Sequence, residues 1–205
     1  MSSIISIAIG YFLGCLSPSS FLARKKNVDL RNEGTGNLGA TNTTIVLGKK
    51  AGAFVMIFDI AKAYIAAQIA KLLFPRQYYA SLLASCATVF GHIFPCHMKF
   101  KGGKGLAAFG GMVLAHDPLI FLILLVIGLV AMFVVNYGVA LPLTAAVLFP
   151  VFAGVRSMDV TVFAITAVTS ALIIIVHWKN IGKAIRHEHE TVRGFIKTKL
   201  FTKKS

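Results

Sequence analysis

Acidic residues are scarce in this sequence, with seven aspartates and glutamates against 21 lysines and arginines. Charged residues of both signs make up only 14% of the 205 residues, whereas 57% are hydrophobic, and the mean hydropathy is +0.78. A soluble domain of this size would need much more polar surface to cover it. The composition therefore excludes an ordinary soluble globular protein and predicts an all-α polytopic membrane protein.

Cysteine is also rare. The three cysteines, Cys15, Cys86 and Cys96, are odd in number and lack the spacing of a metal-ligand motif. The sequence contains no nucleophile elbow, no zinc-binding histidine–glutamate signature and no paired carboxylates of the glycosidase type. These absences argue against the common hydrolase classes.

Long apolar runs dominate the chain and predict about seven transmembrane helices in a single domain covering residues 1–205. The first run lacks a basic n-region and is long enough to span, so we expect a retained helix and no cleavable signal peptide. Pro18 predicts a kink near its end. The predicted spans are approximately residues 3–23, 51–74, 78–91, 106–115, 118–135, 139–155 and 160–177, followed by a cytoplasmic tail at 181–205.

The distribution of basic residues predicts the orientation of these spans, because lysine and arginine collect on the cytoplasmic side of membrane proteins. With seven spans, seventeen of the 21 basic residues fall on one side. Arg76 and Arg156 fall on the other side, while Lys62 and Lys71 lie within a span. We therefore expect the N-terminus outside, the C-terminus in the cytoplasm, and all the glycine-rich polar loops facing the cytoplasm.

Two of these loops have the composition of anion sites. Residues 34–42 combine glycine with asparagine and threonine, and residues 91–105 contain two histidines, three lysines and four glycines. Glycine lets backbone N–H groups turn toward a ligand, lysine adds charge, and a helix starting at Leu106 would add a partial positive charge. Within the second span, Asp59 and Lys62 share one helical face, which indicates an intramembrane ion pair, with a direct catalytic role as the alternative.

These features predict phosphorylated substrates at a membrane surface, one of which carries an apolar chain. The positive charge is better explained by anionic lipid and anionic substrate than by nucleic acid, since it lies in loops between spans. A transporter of phosphorylated compounds is an alternative, but it would place polar residues through the bilayer depth and show an internal repeat. The polar residues cluster on one face, so transfer between a lipid-like phosphate and a small phosphorylated acceptor is preferred.

The sequence resembles the bacterial acyl-phosphate-dependent glycerol-3-phosphate acyltransferases, the PlsY family. The resemblance is carried by residues 29–42 (DLRNEGTGNLGATN), 91–105 (GHIFPCHMKFKGGKG) and 177–180 (HWKN), with Asp59 and Lys62 as a smaller match. It implies a seven-span enzyme of the bacterial inner (plasma) membrane with its active site facing the cytoplasm.

The reaction implied by this resemblance transfers an acyl group from acyl phosphate to the primary hydroxyl of sn-glycerol 3-phosphate. The products are lysophosphatidic acid and phosphate, and the reaction is the first step of phospholipid biosynthesis. The resemblance implies no cofactor and no metal, and neither acyl-CoA nor acyl carrier protein as direct donor. We expect a functional link to an enzyme that produces acyl phosphate, and no nucleic-acid partner.

The resemblance also leads to candidate site residues. His177 is the candidate general base and Thr35 the candidate oxyanion stabiliser. Bound phosphate is an alternative base, and His177 has the alternative role of an interfacial anchor beside Trp178. Asn37 and Asn42 have the alternative role of turn residues. The candidate substrate-binding residues are Gly34, Gly36, Asn37, Gly39, Asn42, His92, Lys101, Gly102, Gly103, Lys104 and Asn180.

The chain differs from the family pattern at several of these positions. Thr35 replaces the usual serine, and Ile45 aligns with an arginine that would form a bidentate phosphate contact. Between the fifth and sixth spans Tyr137 matches, but Asn136 and Pro142 lie where arginine and serines are usual. A diverged relative therefore stays an alternative, either with an altered acceptor or binding phosphorylated lipid precursors without catalysis.

Overall fold

The computed structural model describes residues 1–188 and 191–195, with only the backbone of Phe195, and this part of the chain is helical. The chain divides into two compact units, Met1–Pro118 and Leu119–Ser205. In chain order the helices are α1 (Ser2–Cys15), α2 (Pro18–Lys25), α3 (Ala40–Leu47), α4 (Lys49–Leu73), α5 (Ala80–Ile93), a 3₁₀ turn (Cys96–Met98), α6 (Leu106–His116), α7 (Pro118–Val135), α8 (Ala140–Ser157), α9 (Val160–Ile185) and α10 (Val192–Phe195).

The predicted all-α polytopic membrane architecture is confirmed. In the described residues, six helical segments are long and apolar enough to cross a membrane, and the first of them combines α1 and α2. The predicted fourth span corresponds to α6, which has 11 residues. Its length is roughly 16 Å, about half the hydrocarbon thickness. Seven complete crossings, like the single-domain assignment, therefore remain a prediction.

The first predicted span is interrupted at Leu16 and Ser17. Leu16 has an extended backbone, and the Ser17 side chain caps α2 by accepting a hydrogen bond from the Ser20 N–H. Proline has no N–H, so Pro18 cannot donate the helical hydrogen bond that the Gly14 carbonyl would otherwise accept. The break therefore leaves carbonyl groups that need other donors within the protein.

Lys62 of α4 supplies these donors. Its Nζ donates to the carbonyls of Gly14 at 3.1 Å and Leu16 at 2.8 Å. The same Nζ lies 2.8 Å from Asp59 Oδ1, forming the predicted ion pair, and 2.9 Å from His92 Nδ1 of α5. Lys62, Asp59 and His92 are all buried. One ammonium group therefore joins the end of α1 to α4 and α5.

Small residues bring α1 and α5 into close contact. A Cβ at Gly10 or Gly14 of α1 would collide with the α5 carbonyl oxygens of Ala84 or Thr88, respectively. Conversely, a Cβ at Gly91 of α5 would collide with the Tyr11 carbonyl oxygen. Tyr11 Oη also donates to the Phe94 carbonyl at 2.8 Å. Backbone contact without intervening side chains is typical of membrane helix interfaces. The contact between α1 and α5 fixes the position at which the loop after α5 begins.

In the second unit, α8 packs against α9. The Asp159 side chain caps α9 by accepting hydrogen bonds from Thr161 N at 2.7 Å and Val162 N at 3.4 Å. The last span is predicted to end near residue 177, and the helix continues beyond it to Ile185. No proline or strong turn signal interrupts the helix after His177, so the backbone hydrogen bonds propagate. The predicted tail at 181–205 therefore begins inside α9, and Val192 lies in the separate helix α10.

We predict that replacing Lys62 with methionine destabilises the protein by about 3–5 kcal/mol, because the change leaves Asp59 as an uncompensated buried charge. The carbonyls of Gly14 and Leu16 would lose their donor as well. Thermal unfolding in detergent measures the effect. Lys71→Met is the matched control, since Lys71 lies on the same helix but is exposed.

The double variant Asp59→Leu/Lys62→Met should be more stable than Lys62→Met alone, because it removes the unpaired carboxylate. Equal stability of Lys62→Met and Lys71→Met would show that the buried network does not hold the helices together.

Candidate active site

The first glycine-rich loop is built around the side chain of Asn42, which is fully buried at the start of α3. Asn42 Oδ1 accepts a hydrogen bond from the Thr35 N–H at 2.6 Å. Its Nδ2 donates to the carbonyls of Leu30 at 2.8 Å and Glu33 at 3.1 Å. The side-chain amide of Asn42 is therefore hydrogen-bonded inside the loop. In the structure this residue shapes the loop and does not face its surface.

Thr35 itself is exposed at the outer side of the loop. Because its N–H donates to Asn42, its hydroxyl is the group that it can offer to a ligand. The flanking Gly34 and Gly36 have φ values of 59° and 71°, a left-handed conformation that favours glycine. Together these residues turn the loop back on itself, and they form an exposed, polar edge.

The structure brings the two glycine-rich loops together within the first unit. The Arg31 guanidinium donates to the Lys101 carbonyl. A Cβ on Gly103 would lie 2.7 Å from the Leu38 carbonyl oxygen and would also collide with the His92 ring. Gly103 is therefore required where one loop crosses the other. Arg31, which links the two loops, was not among the residues predicted from the sequence.

The second loop is folded by backbone hydrogen bonds to the end of α5. Gly102 N donates to the Ile93 carbonyl at 2.9 Å, and Gly103 N donates to the His92 carbonyl at 3.1 Å. The buried His92 ring thus connects the loop to the Lys62 network described above. His92, which we predicted as a substrate-binding residue, supports the loop from beneath, and its contact with substrate stays a prediction.

Cations and a helix start lie at the exit of this loop. Lys101 is exposed, and Lys104 is half-buried one residue before Gly105, whose φ is 78°. Helix α6 begins at the predicted residue, Leu106, and its first turn is closed by the Phe109 N–H donating to the Gly105 carbonyl at 2.7 Å. Lysine side chains beside a helix N-terminus form an environment that favours phosphate.

The candidate residues of the second unit lie on α9. His177 is buried, and its Nδ1 lies 2.8 Å from the Ile173 carbonyl oxygen. A carbonyl can only accept, so Nδ1 carries the proton of the neutral ring and Nε2 carries the lone pair. Asn180 follows three residues later and is half-buried. The exposed Trp178 lies between them in sequence, as an interfacial anchor would.

The second unit also contains a group of hydrogen bonds, around Asn136 and Tyr137, that we did not predict. Asn136, which has a left-handed backbone, accepts hydrogen bonds from the N–H groups of Val192 and Arg193, both at 3.0 Å. Tyr137 Oη lies 2.9 Å from His187 Nδ1. The turn between α7 and α8 therefore holds the segment that follows α9. The sequence indicated a turn at Asn136, but it did not indicate that this turn contacts the segment after α9.

Beyond α9, the Glu188 carboxylate accepts a hydrogen bond from Arg186 Nε at 3.0 Å. This hydrogen bond lowers the pKa of Glu188 and raises the pKa of Arg186. Both side chains are exposed, so the pair is weak. The neighbouring residues 189–190 lie outside the described part of the chain.

Taken together, the first unit presents a polar surface of two interlocked glycine-rich loops with nearby lysines. Such a surface can bind phosphate through its ammonium groups and the N-terminus of α6. The supporting atoms come from Asn42 and His92, which are buried. The second unit presents a histidine whose tautomer is set by its own helix.

Comparison with known proteins identifies this architecture. The model of the glycerol-3-phosphate acyltransferase family matches residues 4–187. A protein named glycerol-3-phosphate acyltransferase from Aquifex aeolicus is 35% identical over 185 residues, covering 90% of this chain and 96% of the relative. The protein of the same name from Thermoanaerobacter sp. is 33% identical over 186 residues, covering 90% and 93%.

Solved structures agree with these relatives. The crystal structure of PlsY, an integral membrane glycerol 3-phosphate acyltransferase, in its glycerol 3-phosphate form is similar with a TM-score of 0.89 and 34% identity, covering 98% of this chain and all of that chain. The lysophosphatidic acid form gives a TM-score of 0.84 at 32% identity, covering 93% and 95%. The resemblance found in the sequence is thus confirmed, and the chain belongs to the PlsY-type glycerol-3-phosphate acyltransferase family.

Proposed function

We propose that this protein transfers an acyl group from acyl phosphate to the primary hydroxyl of sn-glycerol 3-phosphate. The products are lysophosphatidic acid and inorganic phosphate, and the reaction begins phospholipid biosynthesis. The observation that carries the proposal is the pair of interlocked glycine-rich loops beside Lys101 and Lys104, in a chain of this family. Such loops provide donors for the phosphate groups that both substrates contain.

In the proposed reaction, the acceptor hydroxyl oxygen forms a bond to the acyl carbonyl carbon. The bond from that carbon to the phosphate oxygen then breaks, and phosphate leaves with the electron pair. The Thr35 hydroxyl is the proposed stabiliser of the negative charge that develops on the carbonyl oxygen. The role proposed for Lys101 and Lys104 is to hold phosphate groups, with Gly34, Gly36, Asn37, Gly39, Gly102 and Gly103 shaping the loops that contact them.

The hydroxyl proton needs an acceptor, for which His177 is our first proposal. Its hydrogen bond to the Ile173 carbonyl supports this role, because it leaves the lone pair on Nε2. The departing phosphate is the second proposal, since phosphate is itself a weak base. Asn180 is proposed to orient the acceptor.

We propose that the protein lies in the inner (plasma) membrane of a bacterial cell. The glycine-rich loops face the cytoplasm, and the N-terminus is outside. The excess of basic residues on one side supports this orientation. An acyl phosphate is a mixed anhydride that hydrolyses readily, so a cytoplasmic enzyme that produces it is the expected functional partner. The lipid bilayer would receive the acyl chain of the amphipathic product.

Ile45 supports a second candidate, a relative with weakened or altered acceptor binding. Ile45 lies on α3, three residues after the loop-shaping Asn42, and it is half-buried. An isoleucine there provides no charge for a phosphate, whereas an arginine could bind one in bidentate fashion.

The reaction itself is tested with purified protein, palmitoyl phosphate and glycerol 3-phosphate, by measuring phosphate release and lysophosphatidate. We expect both products in equal amounts, and no product with palmitoyl-CoA or acyl carrier protein as donor. Lys104→Ala should lower the rate roughly tenfold or more, because a cation near the phosphate is lost. Lys50→Ala, which removes an exposed lysine at the start of α4, should have little effect.

Folded wild-type protein that forms no lysophosphatidate would refute the proposed reaction. Equal rates for the wild type and Lys104→Ala would instead remove Lys104 from the site while leaving the reaction in place.

Replacing Gly103 with alanine should reduce activity by at least roughly tenfold, because the added methyl would separate the loops at Leu38 and His92. Gly138→Ala is the matched control, since a Cβ there meets nothing within 4 Å. Initial rates and thermal unfolding of both variants should be measured together. Full activity in Gly103→Ala would contradict the close approach of the two loops.

Replacing Ile45 with arginine should lower the KM for glycerol 3-phosphate roughly tenfold if this position faces the acceptor phosphate, because it restores a bidentate donor. Ile45→Lys, which adds charge without the planar fork, should give a smaller decrease. An unchanged KM in the arginine variant would show that position 45 does not contact the acceptor phosphate.

A further inference from the structure

Three side chains that the reaction does not use converge at the end of α1. The ligand atoms of Cys15, Cys96 and His97, two thiol sulfurs and an imidazole nitrogen, all lie within 4.8 Å of one another. Cys15 is buried, whereas Cys96 and His97 are exposed at the 3₁₀ turn after α5. This cluster could not be predicted from the sequence, because the fold brings the two cysteines together from distant positions.

The positions of these groups are fixed by the backbone around them. Cys15 ends α1, which is held against α5 by close glycine contacts, including that of Gly91 with the backbone of Cys15 and Tyr11. On the other side, the Pro95 carbonyl accepts hydrogen bonds from Met98 N at 3.0 Å and Phe100 N at 3.1 Å. These bonds enclose Cys96 and His97 in a tight turn. A cluster fixed in this way needs little rearrangement to bind a ligand.

The donor set selects a class of ligand. Two thiolates and one imidazole suit Zn²⁺ and related soft or borderline divalent ions, and they do not suit Mg²⁺ or Ca²⁺. In a tetrahedral zinc site, sulfur ligands at about 2.3 Å from the metal lie roughly 3.8 Å apart. Separations of up to 4.8 Å can reach this geometry by side-chain rotation. Since two of the three residues are exposed, water can occupy the fourth position.

We propose that Cys15, Cys96 and His97 form a binding site for Zn²⁺ or a related thiophilic divalent cation. The cation binds as both thiols lose their protons to solvent, so the site takes a net charge of zero. Occupancy joins the end of α1 to the turn that precedes Lys101–Gly105. The site is separate from the candidate phosphate-binding residues and uses none of them as ligands.

The test uses the full-length protein, purified without an affinity tag in a detergent solution containing a reductant that does not bind metal. Titration with Co²⁺ should produce the visible bands of tetrahedral cobalt and the ultraviolet charge-transfer band of cobalt–thiolate bonds, in one-to-one stoichiometry. Addition of Zn²⁺ should abolish both signals, because Zn²⁺ binds the same ligands more tightly than Co²⁺.

Matched variants locate the site. Cys15→Ser, Cys96→Ser and His97→Ala should each weaken Co²⁺ binding roughly tenfold or more, because each removes a direct ligand. Cys86→Ser should keep the bands unchanged, since the Cys86 Sγ lies beside Met112 Sδ, at 3.8 Å, outside the cluster. Thermal unfolding of every variant verifies that it is folded.

The proposal is overturned if the folded wild type shows no cobalt–thiolate band. It is also overturned if the band persists unchanged in Cys96→Ser. Because the readout is spectroscopic, these results are independent of whether the protein transfers acyl groups.

Discussion

The buried ammonium group of Lys62 is the interaction on which the first unit depends. Pro18 interrupts the first span and deprives the Gly14 carbonyl of its helical donor. Lys62 replaces that donor, pairs with Asp59 and contacts His92. Burying an unpaired charge or an unpaired carbonyl group in a membrane costs free energy. Each of these groups therefore depends on the others for its pairing. The broken first span and the end of α5 are thereby held together.

The loops that we propose to bind phosphate are a consequence of this arrangement. His92 lies between Lys62 and Gly103, so the buried network is in contact with the crossing point of the loops. Asn42 fixes the first loop from within, and Arg31 links it to the second. Loops held in this way need little reorganisation when a phosphate arrives, which is the condition for strong electrostatic stabilisation of a transition state. The rigid support is buried, while the lysines that add charge remain near the surface.

Much of this could be predicted from local sequence. Hydropathy predicted the helices, Pro18 the break, and the spacing of Asp59 and Lys62 their ion pair. Roles that depend on tertiary contact could not be predicted, because a glycine-rich motif does not reveal which polar side chains point inward. For Asn42 both a substrate contact and a role in the turn were predicted, and only the structure shows that its amide is used within the loop. The length of α6 and the continuation of α9 past His177 also differ from expectation, since composition alone defines helix ends poorly.

The central claim is that both glycine-rich loops of the first unit bind phosphate together. Amide hydrogen–deuterium exchange, followed by mass spectrometry with and without saturating glycerol 3-phosphate, tests it most directly. We expect slower exchange in peptides covering residues 34–39 and in peptides covering residues 101–105, because a bound ligand stabilises the loops against the local opening through which their N–H groups exchange. Unchanged exchange in both loops, in a sample shown by calorimetry to bind glycerol 3-phosphate, would contradict it.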